Sequence, residues 1–307
     1  ALMALFKTYL GSIIDDKVWK GIAEGLNYGL GFMVIFMLHF TVATKQPAMT
    51  AARFAEAVEK TPQGKSVNMK LAQLLVDVFR SQSIAVLGNV LIAMGLAALI
   101  AFGYQYKTGE PLMNADQIAY QLHSIDPFAG ALWFAAIAGV WLFCSGIISG
   151  YFDNRSNYLN MRMRLTQHPL LKKLMSEKSR VKFANYMHEN YGSLIGNLCF
   201  GMLLGITGVV GYLTHLPLDI RHVAFSSANV GYIAVSGQFT YSLLLQCIVF
   251  VLLIGLVNLI VSFSLTLWVA LRSLNAEIDS WWPIWYEVCQ IVKKRPLSLF
   301  LPVQLDK

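Results

Sequence analysis

Five long apolar stretches constrain this chain of 307 residues more than any other feature. Each approaches or exceeds the roughly 20 helical residues that cross a hydrocarbon core of about 30 Å. They cover 26–44, 84–104, 128–151, 194–213 and 243–271. All 24 Lys and Arg residues lie outside them. Because a charge at the membrane centre costs about 2.5–3.5 kcal/mol, this exclusion predicts an all-α fold, a polytopic transmembrane helix bundle with five spans.

Composition supports the same class of protein. The chain is 56% hydrophobic and 13% charged, against about 45–50% and about 25% in soluble domains. It therefore has too few charges to coat a soluble enzyme and too many apolar residues for disorder. Four cysteines, none in Cys-x-x-Cys spacing, exclude a disulfide scaffold and offer no zinc site. We expect no metal and no cofactor.

The net charge of +7 is distributed unevenly between the segments that connect the spans. Segments 45–83, 152–193 and 272–307 together hold 19 Lys and Arg residues, and the alternate segments hold 5. The positive-inside rule therefore predicts a cytoplasmic C-terminus and an external N-terminus. We expect a multi-pass protein of the bacterial inner membrane, with residues 1–307 forming a single transmembrane domain.

Several connecting segments have patterns of their own. Apolar spacing predicts amphipathic helices over Met49–Lys60 and Val67–Phe79, on the cytoplasmic side. The tryptophans at 281, 282 and 285 with Tyr286 are typical of an interfacial aromatic belt. On the external side, residues 222–240 are rich in small side chains but too polar for a span, so we expect a re-entrant or interfacial helix packed on the bundle.

The segment 152–193, predicted to be cytoplasmic, is strongly basic. Its basic side chains alternate with Leu and Met, which suits a helix lying on the anionic inner leaflet, although nucleic acid is an alternative partner. Its candidate contact residues are Arg155, Arg162, Arg164, Lys172 and Lys173.

Polar residues inside the spans are the candidates for a binding pocket, since such groups line solute, lipid or ion paths. These are Asn27, His39, Asn89, Asn197, Asn258 and Ser262. Alternatively, each Asn bonds to a neighbouring helix and only stabilises packing. A candidate external gate comprises Asp219, Arg221, His222 and Asn229. Its alternative role is a structural salt bridge and helix cap.

Eight stretches are distinctive: LHFTVATKQPAMTA (38–51), Asp126-Pro127-Phe128, GVWLFCSGIISGYFDN (139–154), His168-Pro169-Leu170-Leu171, LPLDIRHVAFSSAN (216–229), Gly255–Asn258, Val261–Phe263 and Trp268–Arg272. They resemble a bacterial membrane-protein family catalogued as site-specific recombinases. The resemblance covers essentially the whole chain. It implies a membrane protein with a further N-terminal region, so we expect this chain to be the C-terminal part of a longer one.

The family name implies recombination chemistry, which would need an activated nucleophile and a cluster of cations around a phosphate. None of the six histidines is followed by Arg three residues later, as a tyrosine recombinase would require. We find no recombinase or hydrolase motif and expect no catalytic residue. We hypothesise that the protein binds or transports a small molecule or lipid through the polar pocket. The alternatives are a non-catalytic membrane subunit or scaffold, with protein partners or as a homo-oligomer, and a DNA recombination factor.

Overall fold

The structure, a computed structural model, describes residues 1–40, 51, 54–58, 65–236, 240–275 and 278–299. Within these residues all regular secondary structure is helical, which confirms the all-α prediction. The helices are α1 (Leu2–Ile13), α2 (Lys17–Met37), α3 (Lys65–Thr108), α4 (Ala115–Ile125), α5 (Ala131–Tyr158), α6 (Met161–Gln167), α7 (Pro169–Leu174), α8 (Glu177–Thr214), α9 (Val223–Ala234), α10 (Tyr241–Ser273) and α11 (Trp282–Lys294). Short 3₁₀ turns occupy Pro127–Ala129 and Pro296–Leu299.

Local capping residues set several helix starts. Asp16 accepts hydrogen bonds from the N–H groups of Val18 and Trp19 and begins α2. Asn114 and Gln117 form a reciprocal capping box at α4. Thr240 caps α10 through the N–H of Leu243. Each cap satisfies a backbone donor that has no partner inside its own helix.

Four helices are long and apolar enough to cross a membrane: α3, α5, α8 and α10. They contain all or nearly all of the predicted spans 84–104, 128–151, 194–213 and 243–271. The chain is therefore polytopic and all-helical, as the sequence predicts.

The remaining predicted span, 26–44, coincides in part with α2, which ends at Met37. Helix α2 is not among the four membrane-crossing candidates within the described residues. Its polar residues Glu24 and Asn27, together with several glycines, lower its hydropathy. Residues 41–44 lie outside the described part of the chain, so a fifth span stays a prediction.

The described chain divides into two compact units. The first comprises Ala1–Leu5, Pro47–Val140 and Ile220–Lys307, in so far as these are described. One apolar core there joins α3, α4, α5, α9 and α10, and includes Val90, Ile125, Val223 and Val251. A second core lies between the start of α3, the end of α10 and α11.

The second unit comprises Phe6–Gln46 and Trp141–Asp219. Its main contact is between α2 and α8, which pack along each other. Glycines make this approach possible, because the backbone of α2 at Gly25 lies where a side chain at position 205 would be. Phe32 and Phe200 pack beside it with ring centroids 5.1 Å apart.

The predicted connecting helices have mixed outcomes. Val67–Phe79 is helical and continues without interruption into the span of α3. The helix expected over Met49–Lys60 lies only partly in the described residues, where 54–58 is helical and Phe54 and Ala55 are buried. In the segment predicted to be external, α9 has 12 residues, about 18 Å at 1.5 Å per residue, too short to cross a bilayer alone.

Candidate functional site

Asn258, one of the predicted pocket residues, makes three hydrogen bonds to distant backbone groups. It lies near the midpoint of α10 and is 3% exposed. Its Nδ2 donates to the carbonyls of Ala135 (2.7 Å) and Arg221 (3.0 Å), and its Oδ1 accepts from the N–H of Val223 (3.2 Å). Val223 is the first residue of α9, so the Asn258 side chain satisfies one donor at that helix start.

These bonds explain how a non-helical segment can precede α9 beside the middle of a candidate span. Backbone groups away from water need internal partners, and irregular backbone at membrane depth occurs only where protein or a water-filled cavity provides them. Asn258 is such a partner for Arg221 and Val223. The Asn258 side chain thus bonds to backbone groups of neighbouring segments, which is the packing role given above as the alternative to a binding pocket.

Arg221 is fixed by its neighbours in the same way. Its Nε donates to the carbonyl of Ser124 at the end of α4 (2.6 Å), and its Nη1 donates to the carbonyl of Ile220 (2.7 Å). The guanidinium also lies 5.3 Å from the ring centroid of Phe134, within the range of a cation–π contact. These contacts hold α4, the start of α5 and the segment before α9 together.

The other predicted gate residues differ in their surroundings. His222 is half-buried in the segment between α8 and α9, and its ring centroid lies 5.7 Å from that of Phe225 on α9. Asn229 donates from Nδ2 to Oε1 of Gln121 (2.8 Å), which links α9 to α4. Asp219 belongs to the second unit, whereas Arg221, His222 and Asn229 belong to the first. The gate itself stays a prediction.

The predicted pocket residues are also shared between the two units. Asn89, Asn258 and Ser262 belong to the first, and Asn27, His39 and Asn197 belong to the second. Asn197 is buried in α8, and Ser262 is buried and donates to the carbonyl of Leu259 in its own helix. His39 is exposed just beyond α2 with a φ of 61°. The pocket therefore stays a prediction.

The structure shows a polar contact in the second unit that the sequence analysis missed. On α5, Asp153 Oδ1 accepts from the N–H of Gly192 (3.0 Å), and Ser156 Oγ donates to the carbonyl of His188 (3.2 Å). Ser156 Oγ also lies 3.1 Å from Nδ1 of His188. Asp153 and Ser156 are three residues apart on α5, and His188 and Gly192 are four apart on α8, so each pair lies on one helix face. This spacing is the feature of the sequence that could have indicated the contact.

The five basic contact residues predicted between α5 and α8 are all exposed. We call residues 155–175 the basic segment; it contains the end of α5, then α6 and α7. Lys172 Nζ donates to Oε1 of Gln167 at 2.6 Å. The positive charges of the segment therefore lie at the surface of the second unit.

Apolar side chains are exposed in the same segment. Helix α6 packs along α8. Met163 on α6 is exposed, and Leu170 and Leu174 are exposed one helical turn apart on α7, Leu174 to 79%. Large apolar groups are thus exposed between Arg and Lys residues, a combination typical of membrane-surface segments.

Within the described residues, no group of three or more His, Cys, Asp or Glu side chains could hold a metal ion. Four membrane-crossing candidates in an all-helical chain, with interior polar groups bonded to backbone, define a polytopic helical membrane protein. The chain belongs to the family described as "Site-specific recombinase", whose model matches residues 1–302. No curated protein matches the chain, and no solved structure does.

Proposed function

We propose that this protein is a non-catalytic membrane protein of the bacterial inner membrane that binds anionic lipid headgroups through its basic segment. The observation that carries the proposal is the joint exposure of Arg162, Arg164, Lys172 and Lys173 with Met163, Leu170 and Leu174. The cations would contact lipid phosphates while the apolar side chains enter the acyl boundary.

The position of the segment in the chain supports this proposal. It connects two membrane-crossing candidates, α5 and α8, and it begins directly after the predicted span of α5. Each basic residue near an anionic leaflet contributes about 1 kcal/mol of attraction. Arg also offers a planar fork of donors that suits phosphate oxygens.

Transport through a polar pocket has less support. Asn258, the best-placed candidate for such a pocket, bonds through both ends of its amide to backbone groups. Ser262 bonds within its own helix. A ligand would have to displace these bonds, and a buried backbone group left without a partner costs about 1–3 kcal/mol.

Lipid binding is tested with the purified full chain in a neutral detergent. Phosphatidylglycerol or phosphatidylcholine is added, and lipid-bound species are counted by native mass spectrometry. We expect retention of phosphatidylglycerol only. In R162Q/R164Q the loss of two contacts, about 2 kcal/mol, should weaken its binding more than tenfold.

The matched control is K70Q/K107Q, which removes the same charge from two exposed positions of α3. It should retain phosphatidylglycerol as the unsubstituted protein does. Equal loss in the two double variants, or equal retention of both lipids, would contradict the proposal. Binding of duplex DNA at physiological salt that R162Q/R164Q abolishes would favour a recombination factor instead.

A further inference from the structure

Helix α11 has three distinct faces. Its core face carries Ile284, which is 1% exposed, and Val288 and Ile291, all of which pack in the second core of the first unit. The spacing of four and three residues places them on one stripe. This face is occupied by the protein itself and holds α11 in place.

That core fixes where α11 lies along the candidate spans. It contains Leu71 and Ala72 near the start of α3 and Leu267 and Leu271 near the end of α10. Trp268, next to Leu267, is 61% exposed on the outside of α10. Tryptophan is enriched where hydrocarbon meets headgroups, so Trp268 indicates that the end of α10, on which α11 packs, lies near that boundary.

The second face of α11 is aromatic and exposed. Trp282 (79%), Trp285 and Tyr286 follow one another at steps of three and one, and exposed Cys289 continues the same face. The packing of the core face does not explain why these rings are exposed. Their amphipathic character suits the headgroup layer, where ring surface is covered and the N–H or O–H stays hydrated.

The third face is polar and lies between Tyr286 and the core face, with Glu287 and Gln290 half-buried and Lys294 exposed. Lys293, Lys294 and Arg295 close the helix and complement an anionic leaflet. Core, aromatic and polar faces thus follow one another around the helix. This order suits a helix lying in the membrane plane, with one flank in the lipid and another in water.

We propose that α11 is an interfacial anchor whose Trp282–Trp285–Tyr286 face is seated in the lipid headgroup region. This inference concerns a surface separate from the basic segment and does not depend on lipid binding there. Its occupant is the bilayer interface and not a second copy or another protein.

The test uses Cys289 as a native probe in the full chain reconstituted into phosphatidylethanolamine and phosphatidylglycerol bilayers. A nitroxide is attached under mild conditions that favour the exposed thiol, and the variant C289A shows the background. Collision rates with oxygen, which concentrates in lipid, and with a water-soluble nickel chelate are then compared. We expect oxygen contact to exceed nickel contact severalfold.

The matched control is C289S/E287C, which moves the label to the polar face of the same helix. There we expect the ratio to reverse in favour of the nickel chelate. The same measurement with W282C in a C289S background repeats the test at the other end of the aromatic face. Equal ratios on the aromatic and polar faces would overturn the proposal. So would a label at 289 shielded from both reagents, which indicates a protein partner or second copy.

Discussion

At the residue scale, Asn258 shows how a polar side chain in a span can be explained by packing. Its amide bonds to the carbonyls of Ala135 and Arg221 and to the N–H of Val223, and so joins α10 to α5 and to the start of α9. Composition and spacing predicted that Asn258 is inside a span. They could not predict its partners, because these lie 35 or more residues away in the chain.

Asn258→Ala should destabilise the protein by about 2 kcal/mol, since it leaves the Val223 N–H and the Arg221 carbonyl without this partner. Thermal unfolding in detergent, followed by tryptophan fluorescence, measures the effect. Gln246→Ala on the exposed side of the same helix is the control and should leave the midpoint unchanged. If N258A melts like the unsubstituted protein, Asn258 does not have the structural role assigned here.

At the element scale, the contact between α2 and α8 depends on glycine. A Cβ at Gly205 would meet the backbone N and Cα of Gly25, whereas a Cβ at Gly208 has no neighbour within 4 Å. Both residues belong to one glycine-rich stretch of α8. The glycine spacing in the sequence does not show which glycine faces the partner helix.

Gly205→Ala should therefore cost about 1–3 kcal/mol, because the added methyl group meets backbone that cannot rotate away. Gly208→Ala should be neutral or stabilise α8 by up to about 1 kcal/mol through helix propensity. Unfolding of each variant by titration with a denaturing detergent gives both values. Equal effects of the two substitutions would contradict the α2–α8 interface.

Between sequence and structure, the elements with strong periodicity or long apolar runs were the ones predicted well. Local hydrophobicity, which can be read directly from the sequence, determines the four spans, the helical extension of α3 and the core face of the 54–58 helix. The contacts of Arg221 and the pairing of Asp153 with Gly192 depend on which helices meet. Hydrophobic pattern carries little information about that choice, since lipid-facing and core-facing residues are both apolar.

At the scale of the whole molecule, the four membrane-crossing candidates alternate in direction if each crosses once. Segments 105–127 and 214–242 then lie on one side, and 152–193 lies on the other with 45–83 and 272–307. The two former segments hold one basic residue each, and the latter three hold 19. The orientation inferred from charge therefore does not depend on whether α2 crosses the membrane.

We expect E110C to react with a membrane-impermeant maleimide in intact spheroplasts and K173C to react only after permeabilisation, both in a C289A background. Positive residues are retained on the cytoplasmic side, which predicts that 173 lies inside and 110 outside. The reverse pattern would overturn the orientation.

D15C, just before α2, then shows whether the chain has five spans or four. If α2 crosses, as the 26–44 stretch predicts, D15C should label like E110C, and labelling only after permeabilisation would leave α2 on the cytoplasmic side.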